Sequence, residues 1–399
     1  MTIGVRDDKR WVIPRWRDSI LTTQTGEFGA LAEKHSLQVL SPMEFDSAMQ
    51  EWRSERTLGA AFEVLAESLA LNRLAEARPV AQFVLGMPSA SPLSQSLAKV
   101  IMETSGAVRT PPIEPPATPV PREDYARIAL SKRMLFDYPN NPLLWADLAR
   151  AYILIGQIRP ALRAMDRALA CAPTNRFILR SASRLYIHEK DPEKALHLLR
   201  KSPATLHDPW LLAALLATSE VAEAPPENQK RALEMINSKA FSPLQKSELA
   251  SALGSMEFAA GNPKMGRRLI KQSLAVPTEN AVAQAVWLAR RIKSIQVSTD
   301  VSGVERPFEA QARLSYLGAN WKEAVKACLQ WSRDEAFSSR PSSLGSFLAC
   351  AILENPALSV QFSDAGLRAN PGHPVLLNNK AVALLELGRN DEAMRIFKS

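Results

Sequence analysis

The sequence has few cysteines, few glycines and no long apolar run, and each shortage narrows the classes of protein that we expect. Its three cysteines, Cys171, Cys328 and Cys350, are far apart, so a disulfide framework is not expected and a reducing compartment is favoured. No apolar stretch reaches the roughly 18 residues of a membrane span, and the first residues show no signal-peptide pattern. We therefore expect a cytoplasmic protein without membrane contact. Glycine contributes only 16 of 399 residues, which favours helix.

Sequence motifs that carry enzyme chemistry are also missing. There is no glycine-rich phosphate loop, no Cys-x-x-Cys, no His-Glu-x-x-His and no Gly-x-Ser-x-Gly. The five histidines are scattered, and no pair of acidic residues has a spacing that requires an acid–base role. We expect no enzyme activity, no catalytic residue, no metal and no cofactor. An enzyme with its catalytic site within residues 1–108 is the alternative.

A self-similarity with a period of about 34 residues is the strongest positive feature of the sequence. In a frame that starts at Pro142, the marked residues take positions 4, 7, 8, 11, 15, 20, 24, 27 and 32: Trp145, Leu148, Ala149, Tyr152, Gly156, Ala161, Met165, Ala168 and Pro173. Positions 4, 7 and 11 form one apolar face of a first helix, and small residues at 8 and 20 let a second helix approach closely. Glycine at 15 ends the first helix and proline at 32 stops the second.

The same frame recurs along the chain with varying fidelity. A second copy starts at Arg176, and looser copies follow as far as Pro277. The polar stretch 295–306 interrupts the periodicity and is interpreted as a linker or an ordered crossover. The last copy is clear again and places these residues at positions 4, 8, 11, 15, 20 and 24: Leu377, Ala381, Leu384, Gly388, Ala393 and Phe397.

These motifs resemble those of bacterial tetratricopeptide-repeat (TPR) scaffold proteins over about residues 122–399, most specifically at 141–203 and 374–399. The resemblance implies an all-α fold, a right-handed α-solenoid of helical hairpins, here preceded by a helical N-terminal region. It also implies a concave groove, lined by the first helix of each hairpin, that binds a protein or peptide. We therefore expect a non-catalytic scaffold or adaptor. A regulatory subunit of an effector enzyme complex and a nucleic-acid-associated basic adaptor are the alternatives.

The domain boundaries follow changes in composition. Six prolines mark residues 109–121 as a linker, and a capping box at Ser41 opens a helical stretch. The expected segments are an arm at 1–40, a helical region at 41–108, the proline-rich linker at 109–121, a first TPR-like block at 122–294, a linker at 295–306 and a second block at 307–399.

The arm contains a stretch, residues 9–17, in which basic and aromatic side chains alternate. One interpretation is an arm that binds acidic protein or nucleic acid through stacking and charge, which the net charge of +8 permits. The other is a strap that packs Trp11 and Trp16 onto the body of the protein. Nearby aspartates cancel much of the local charge and favour the strap.

Basic residues also cluster at groove-facing positions of the first two clear repeats. Arg180, Arg184 and His188 are spaced i, i+4 and i+8 on one helix face, and Arg150 takes the same frame position as Arg184. An acidic peptide, a C-terminal carboxylate or a phosphate would fit such a cluster. The alternative is a solvated basic face with internal acidic partners such as Asp147.

The last repeat lacks a polar capping helix within the sequence. A solenoid end without a cap exposes the face on which the next repeat would stack. We therefore expect a homo-oligomeric or hetero-complex interface formed by Leu377, Leu384, Leu385, Ile396 and Phe397.

Overall fold

The computed structural model describes residues 10–17, 19, 42–70, 73–90, 92–103, 121–225 and 227–398. These residues form 20 α-helices and one short 3-10 helix but no strand, so the described chain is all-α, as predicted. The proline-rich linker lies outside the described residues apart from Pro121, as does most of the arm. None of the described helices is both long enough and apolar enough to span a membrane. Two compact units are present, Ile20–Ile113 and Met1–Ser19 with Glu114–Ser399.

The smaller unit contains four helices, which are α1 (Pro42–Glu55), α2 (Leu58–Ala70), α3 (Leu74–Leu85) and α4 (Pro92–Glu103). They share one apolar core in which Phe45, Trp52 and Leu65 are buried with Val80 and Ile101. The described residues of the N-terminal region, between 42 and 103, are therefore helical, as the fold class predicted.

The larger unit contains the remaining helices. They are α5 (Pro121–Asp137), α6 (Pro142–Leu154), α7 (Ile158–Cys171), α8 (Arg176–His188), α9 (Pro192–Lys201), α10 (Pro209–Val221), α11 (Gln229–Asn237), α12 (Pro243–Ala259), α13 (Pro263–Ser273), α14 (Glu279–Ala289), α15 (Phe308–Leu317), α16 (Trp321–Asp334), α17 (Ser339–Ala351), α18 (Pro356–Ala369), α19 (Pro374–Glu386) and α20 (Asn390–Lys398). Neighbouring helices pack in pairs, which makes the unit an α-solenoid of helical hairpins.

The 34-residue frame explains how each clear hairpin turns. The first helix, α6, starts with Asn141 as cap, whose Oδ1 accepts a hydrogen bond from the Leu143 amide at 3.0 Å. Position 15 of the frame has left-handed backbone in all three clear repeats, with φ of 72° at Gly156, 63° at Lys190 and 72° at Gly388. The turn therefore requires this conformation even where the residue is not glycine.

The interrupted stretch at 295–306 is an ordered crossover. It has no helix, but Ile295 and Val301 are buried, at 8% and 7% exposure. Ile295 packs with Ile270 of α13, and Val301 packs with Val286 of α14. The apolar core therefore continues from the first block of repeats into the second.

The end of α18 contacts the first two clear hairpins. A Cβ atom at Gly156 would lie 2.7 Å from the carbonyl oxygen of Arg368, and the Nε2 atom of His188 lies 3.1 Å from the carbonyl oxygen of Ala369. Repeats that are distant in sequence are thus joined along a seam between α18 and the α6–α8 region. The repeat pattern did not predict this contact, because the frame describes neighbouring hairpins only.

Close helix packing in the second block makes Gly345 a sensitive position. A Cβ atom there would lie 2.5 Å from Cε1 of Phe362, a side chain that is 3% exposed. We expect Gly345→Ala to lower stability by about 1–3 kcal/mol through overpacking, although alanine favours helix. Thermal unfolding measures the change. Gly303→Ala is the matched control, since a Cβ atom there would meet no described atom within 4 Å; an equal loss in both variants would contradict this account.

Candidate functional site

The inner face of the larger unit is occupied by the chain's own residues 10–17, here called the N-terminal segment. The segment has no helical residue. Arg10 and Arg17 are 3% and 6% exposed, and Val12 and Trp16 are not exposed at all. We call the helix surfaces that contact this segment, together with the surfaces at the same frame positions of the other repeats, the inner face. Five of the eight residues of the segment are buried and the other three are half-buried, which is the arrangement of a strap.

Side chains of the helices bind the backbone of the N-terminal segment. Gln284 Nε2 donates to the carbonyl of Arg10 at 2.8 Å, and Asn280 Nδ2 donates to the carbonyl of Ile13 at 3.0 Å. Further along, Arg150 Nε donates to the carbonyl of Trp16 at 3.3 Å. An extended backbone cannot satisfy its own polar groups, so these donors replace the missing partners. This is how an array of helices can bind a peptide irrespective of its side chains.

Arg10 shows how the inner face binds a basic side chain. Its guanidinium forms two parallel bonds to Glu309, with Nε–Oε1 and Nη2–Oε2 distances of 3.0 Å each. The remaining donors reach Gln284 Oε1 at 2.7 Å and Asn280 Oδ1 at 2.9 Å. A buried arginine is stable when it has both a carboxylate and enough acceptors, and Arg10 has both.

Arg15 binds three carboxylates of the inner face. Its Nη2 lies 2.6 Å from Glu309 Oε2, its Nη1 lies 2.8 Å from Glu335 Oε2, and its Nε lies 3.7 Å from Glu279 Oε1. Burial by itself lowers the pKa of Arg15, but these carboxylates outweigh that effect and raise it. Arg15 is therefore charged at any physiological pH.

Arg17, two residues after Arg15, also pairs with carboxylates of the inner face. It forms two bonds to Asp334, at 2.8 Å from Nε and 2.7 Å from Nη2, and its Nη1 lies 3.0 Å from Glu279 Oε1. Beyond the end of the segment, Ser19 donates its amide and hydroxyl to the Asp147 carboxylate at 2.9 and 2.5 Å. Asp147 thus binds the chain just beyond the N-terminal segment.

Glu309 on α15 is the carboxylate on which this network converges. Besides Arg10 and Arg15, it accepts hydrogen bonds from Arg313 at 3.1 Å and from Arg340. Burial by itself raises the pKa of Glu309, but the surrounding arginines outweigh it and hold the pKa well below its usual range. Its side chain is fully buried, so no water screens these pairs.

Apolar contacts complete the hold on the N-terminal segment. The ring of Trp16 packs against Phe337 with a centroid distance of 5.7 Å. Val12 joins an apolar cluster of the first block, which includes Leu179, Leu212 and Leu249. Burying side chains of this size contributes about 1.5–3 kcal/mol each.

The predicted basic cluster surrounds the segment and does not form an open face. Arg150 is 3% exposed and binds the Trp16 carbonyl, as described above. Arg180 pairs with Glu248, with an Nη2–Oε2 distance of 3.0 Å, and lies over the Trp210 ring at 5.0 Å. The cations of this cluster are therefore already engaged within the chain.

The other two members of the cluster lie against Phe337. The guanidinium of Arg184 is 4.6 Å from the ring centroid, and burial lowers its pKa against the attraction of Glu335. The His188 ring packs edge-on against Phe337, with a centroid distance of 5.6 Å, and its Nε2 atom contacts the Ala369 carbonyl across the seam. Whether these residues bind a partner stays a prediction; in this structure they support the bound N-terminal segment.

Sequence reasoning did not identify the acidic half of the site. The residues that bind the arginines are Glu279, Asn280, Gln284, Glu309, Asp334 and Glu335. The signal in the sequence was weak: Asn280 and Gln284 are polar residues four apart on α14, a helix whose other central residues are apolar.

The predicted terminal interface residues differ in exposure. Leu384 is 1% exposed and belongs to the core of the last hairpin. Leu385 and Phe397 are exposed at 43% and 53%, whereas Leu377 and Ile396 are half-buried. An interface at this end stays a prediction, and it would depend on Leu385 and Phe397.

The described residues offer no obvious reactive group. Within the described ranges, no three His, Cys, Asp or Glu side chains are grouped as a metal site requires. Burial raises the pKa of Cys328 to about 12, so its thiol is a poor nucleophile. Cys171 is exposed and Cys350 is half-buried.

Removal of the central carboxylate tests whether the network holds the fold together. We expect Glu309→Gln to lower the free energy of unfolding by about 3–5 kcal/mol, because it leaves buried arginines without their carboxylate. Urea denaturation measures the loss. Glu227→Gln is the control, because Glu227 is 52% exposed and pairs with Arg200 on the surface, a contact worth at most about 1 kcal/mol. Similar losses in both variants would contradict a central role for Glu309.

Because His188 lies in the seam, we expect the stability of the protein to depend on pH. Burial and the nearby Arg184 lower the pKa of His188 from 6.5 to about 4, although the Ala369 carbonyl opposes the shift. Glu189 is the nearest carboxylate, with an Oε1 atom 4.0 Å from Nε2. Because the folded state disfavours the protonated ring, its contribution to stability is complete above pH 6.5 and is lost as pH falls towards 4.

We expect acidification from pH 7 to pH 5 to cost about 2 kcal/mol through this one group. His188→Gln keeps a donor near the Ala369 carbonyl but does not titrate, so its stability should fall less over the same range. Urea midpoints at the two pH values measure the difference. His207→Gln, at an exposed position, should behave as the unmodified chain does. A parallel pH profile for His188→Gln would show that His188 is not responsible.

The comparisons with known proteins show only distant similarity. No family model and no curated protein matches the sequence. The structure is similar to the Cut9–Hcn1 hetero-tetramer of the APC/C (13% identity, 84% of this chain and 58% of that chain, TM-score 0.31). It is also similar to PilF of Pseudomonas aeruginosa (18% identity, 59% and 95%, TM-score 0.28) and to YrrB, a TPR protein with an unusual peptide-binding site (13%, 63% and 97%, TM-score 0.21). At these scores the likeness says nothing of function, and this chain spans little more than half of the matched Cut9–Hcn1 chain.

Proposed function

We propose that the protein is a non-catalytic interaction scaffold whose inner face binds extended segments of protein. The observation that supports this proposal is the N-terminal segment itself. Asn280 and Gln284 bind its backbone, and Glu309 binds its Arg10 side chain. These are the two contacts that recognition of an extended peptide requires, one to the main chain and one to a side chain.

The charges on the inner face favour a peptide over nucleic acid. The arginines of the N-terminal segment are buried against carboxylates and are not available to phosphate groups. The inner face itself contributes Glu279, Glu309, Asp334 and Glu335 to these pairs. Beyond these pairs, the part of the inner face that contains Glu354 and Glu386 has exposed carboxylates, which disfavour a phosphate backbone.

The central part of the inner face is not the part that a partner uses. The N-terminal segment is tethered to the helices that bind it, so its effective concentration is in the millimolar range or higher. A free peptide with the same contacts cannot displace it at ordinary concentrations. Partner segments therefore bind where the inner face continues beyond the N-terminal segment.

Site-specific crosslinking in cells that contain the protein naturally tests this proposal. We expect Val382→benzoylphenylalanine, on α19, to crosslink discrete partner proteins, because this half-buried side chain lies on a part of the inner face that the N-terminal segment leaves open among the described residues. The control places the crosslinker at Glu234, which is on α11 and 51% exposed. Discrete products at Val382 that are absent at Glu234 support the scaffold. No protein products at Val382, or the same products at both positions, overturn it.

A further inference from the structure

An open groove lies between α17 and α19, apart from the N-terminal segment. Its volume is about 540 Å³. Its walls include Phe347, Cys350 and Glu354 from the α17 side and Asn378, Val382 and Glu386 from α19. We call it the α17/α19 groove. Asn379 holds the two helices together beneath it, since its Nδ2 donates to Ser346 Oγ at 2.8 Å.

The 34-residue frame places this groove on the inner face. Asn378, Val382 and Glu386 are positions 5, 9 and 13 of the last repeat, four residues apart on one face of α19. The same positions of the second clear repeat are Arg180, Arg184 and His188, and the last two lie against Phe337, on which Trp16 of the N-terminal segment packs. The α17/α19 groove is therefore the equivalent surface in a repeat that the segment does not reach.

The chemistry of the groove is that of an amphipathic basic side chain. Glu354 and Glu386 are exposed, and neither takes part in an ion pair with another described residue. Phe347 and Val382 are half-buried and provide apolar walls between them. Lysine and arginine combine an apolar stem with a charged head, so they complement a groove that combines apolar walls with carboxylates.

We propose that the α17/α19 groove binds an extended segment of a partner protein through a lysine or arginine side chain. The basic head pairs with Glu354 and Glu386, and its stem packs on Phe347 and Val382. Asn378 binds the backbone of the partner, as Asn280 binds the backbone at Ile13 in the central part of the inner face. The proposal rests on the proposed scaffold function and adds to it the chemical class of the partner.

The way in which this chain binds its own Arg10 supports the choice of occupant. There, one carboxylate and two side-chain amides hold an arginine within an extended segment. The α17/α19 groove offers two carboxylates and one side-chain amide in the same type of repeat, with no occupant from the described chain. Charge complementarity therefore favours a basic segment over an acidic or purely apolar one.

The cysteines of the chain provide a direct measurement of occupancy. Cys350 lies in the groove and is half-buried, Cys171 is exposed on α7, and Cys328 is buried. The probes are pools of acetylated ten-residue peptides, random except for one fixed central residue, which is Arg, Lys, norleucine or Glu. The full chain is incubated with each pool, and mass spectrometry measures the rate at which N-ethylmaleimide alkylates each cysteine.

We expect the Arg and Lys pools to slow alkylation of Cys350 by about fivefold at concentrations near four times the dissociation constant. Alkylation of Cys171 should not change, which makes it an internal control. In the double variant Glu354→Gln with Glu386→Gln, the basic pools should bind about tenfold more weakly, because both charge-assisted contacts are lost. Both positions are exposed, so the fold should be retained.

A matched variant separates local pairing from a general effect of charge. Glu323→Gln removes a carboxylate from α16, where the side chain is 66% exposed and lies outside the groove. We expect it to leave protection of Cys350 unchanged. Equal weakening by Glu323→Gln and by the double variant would overturn the proposed pairing.

The remaining outcomes distinguish this inference from the scaffold function on which it rests. Stronger protection of Cys350 by the norleucine or Glu pool would show that the groove binds peptides but would overturn a basic partner. No protection by any pool would overturn the α17/α19 groove as a peptide site. Capture of discrete proteins by the crosslinker at Val382, together with no protection by any pool, would keep the scaffold function and overturn only the basic segment as the occupant of the groove. Failure of both experiments would overturn both proposals.

Discussion

The structure of the larger unit depends on the pairing of buried arginines with buried carboxylates around Glu309. Four arginines from three parts of the chain converge on this one side chain: Arg10 and Arg15 of the N-terminal segment, Arg313 of α15 and Arg340 of α17. Each of these charges would be costly if it were buried alone, so the groups stabilise one another only when all of them are in place. The N-terminal segment, the helices of the second block and the crossover before α15 are thereby fixed by the same set of contacts.

This pairing reverses the electrostatic character that the sequence indicated for the inner face. The visible feature was a set of basic residues at repeated groove positions, such as Arg150 and Arg184, which favoured an acidic ligand. In the structure the ligand is the chain's own basic segment, and acidic residues on α14, α15 and the end of α16 bind it. The basic cluster supports the segment from the other side through its backbone and Phe337. The inner face is thus mixed in charge, and its unoccupied part at Glu354 and Glu386 is acidic.

The repeat frame made the helices predictable, because the features that define a hairpin are local. Position 15 predicted the turn, and small residues such as Ala149 and Ala161 predicted close packing; both are 0% exposed. The aspartates around the Arg- and Trp-rich stretch near the N-terminus favoured a strap. Its binding site was not predictable, because Arg15 and Glu335 are 320 residues apart and a single sequence contains no sign of such a pairing. The seam at Ala369 was missed for the same reason.

The large sequence separation between the N-terminal segment and its binding site affects how the array of repeats folds. A repeat solenoid gains stability from contacts between neighbouring repeats, so its folding can begin anywhere and spread along the chain. Here the N-terminal segment binds residues that are synthesised much later, at sequence separations of 299 and 320. Contacts between residues so far apart in the sequence form slowly, so the segment is bound only late in folding. During synthesis Arg10 is therefore without Glu309 until α15 has emerged, and Arg17 is without Asp334 until α16 has emerged. The completed molecule then gains a cooperativity between distant repeats that nearest-neighbour stacking does not supply.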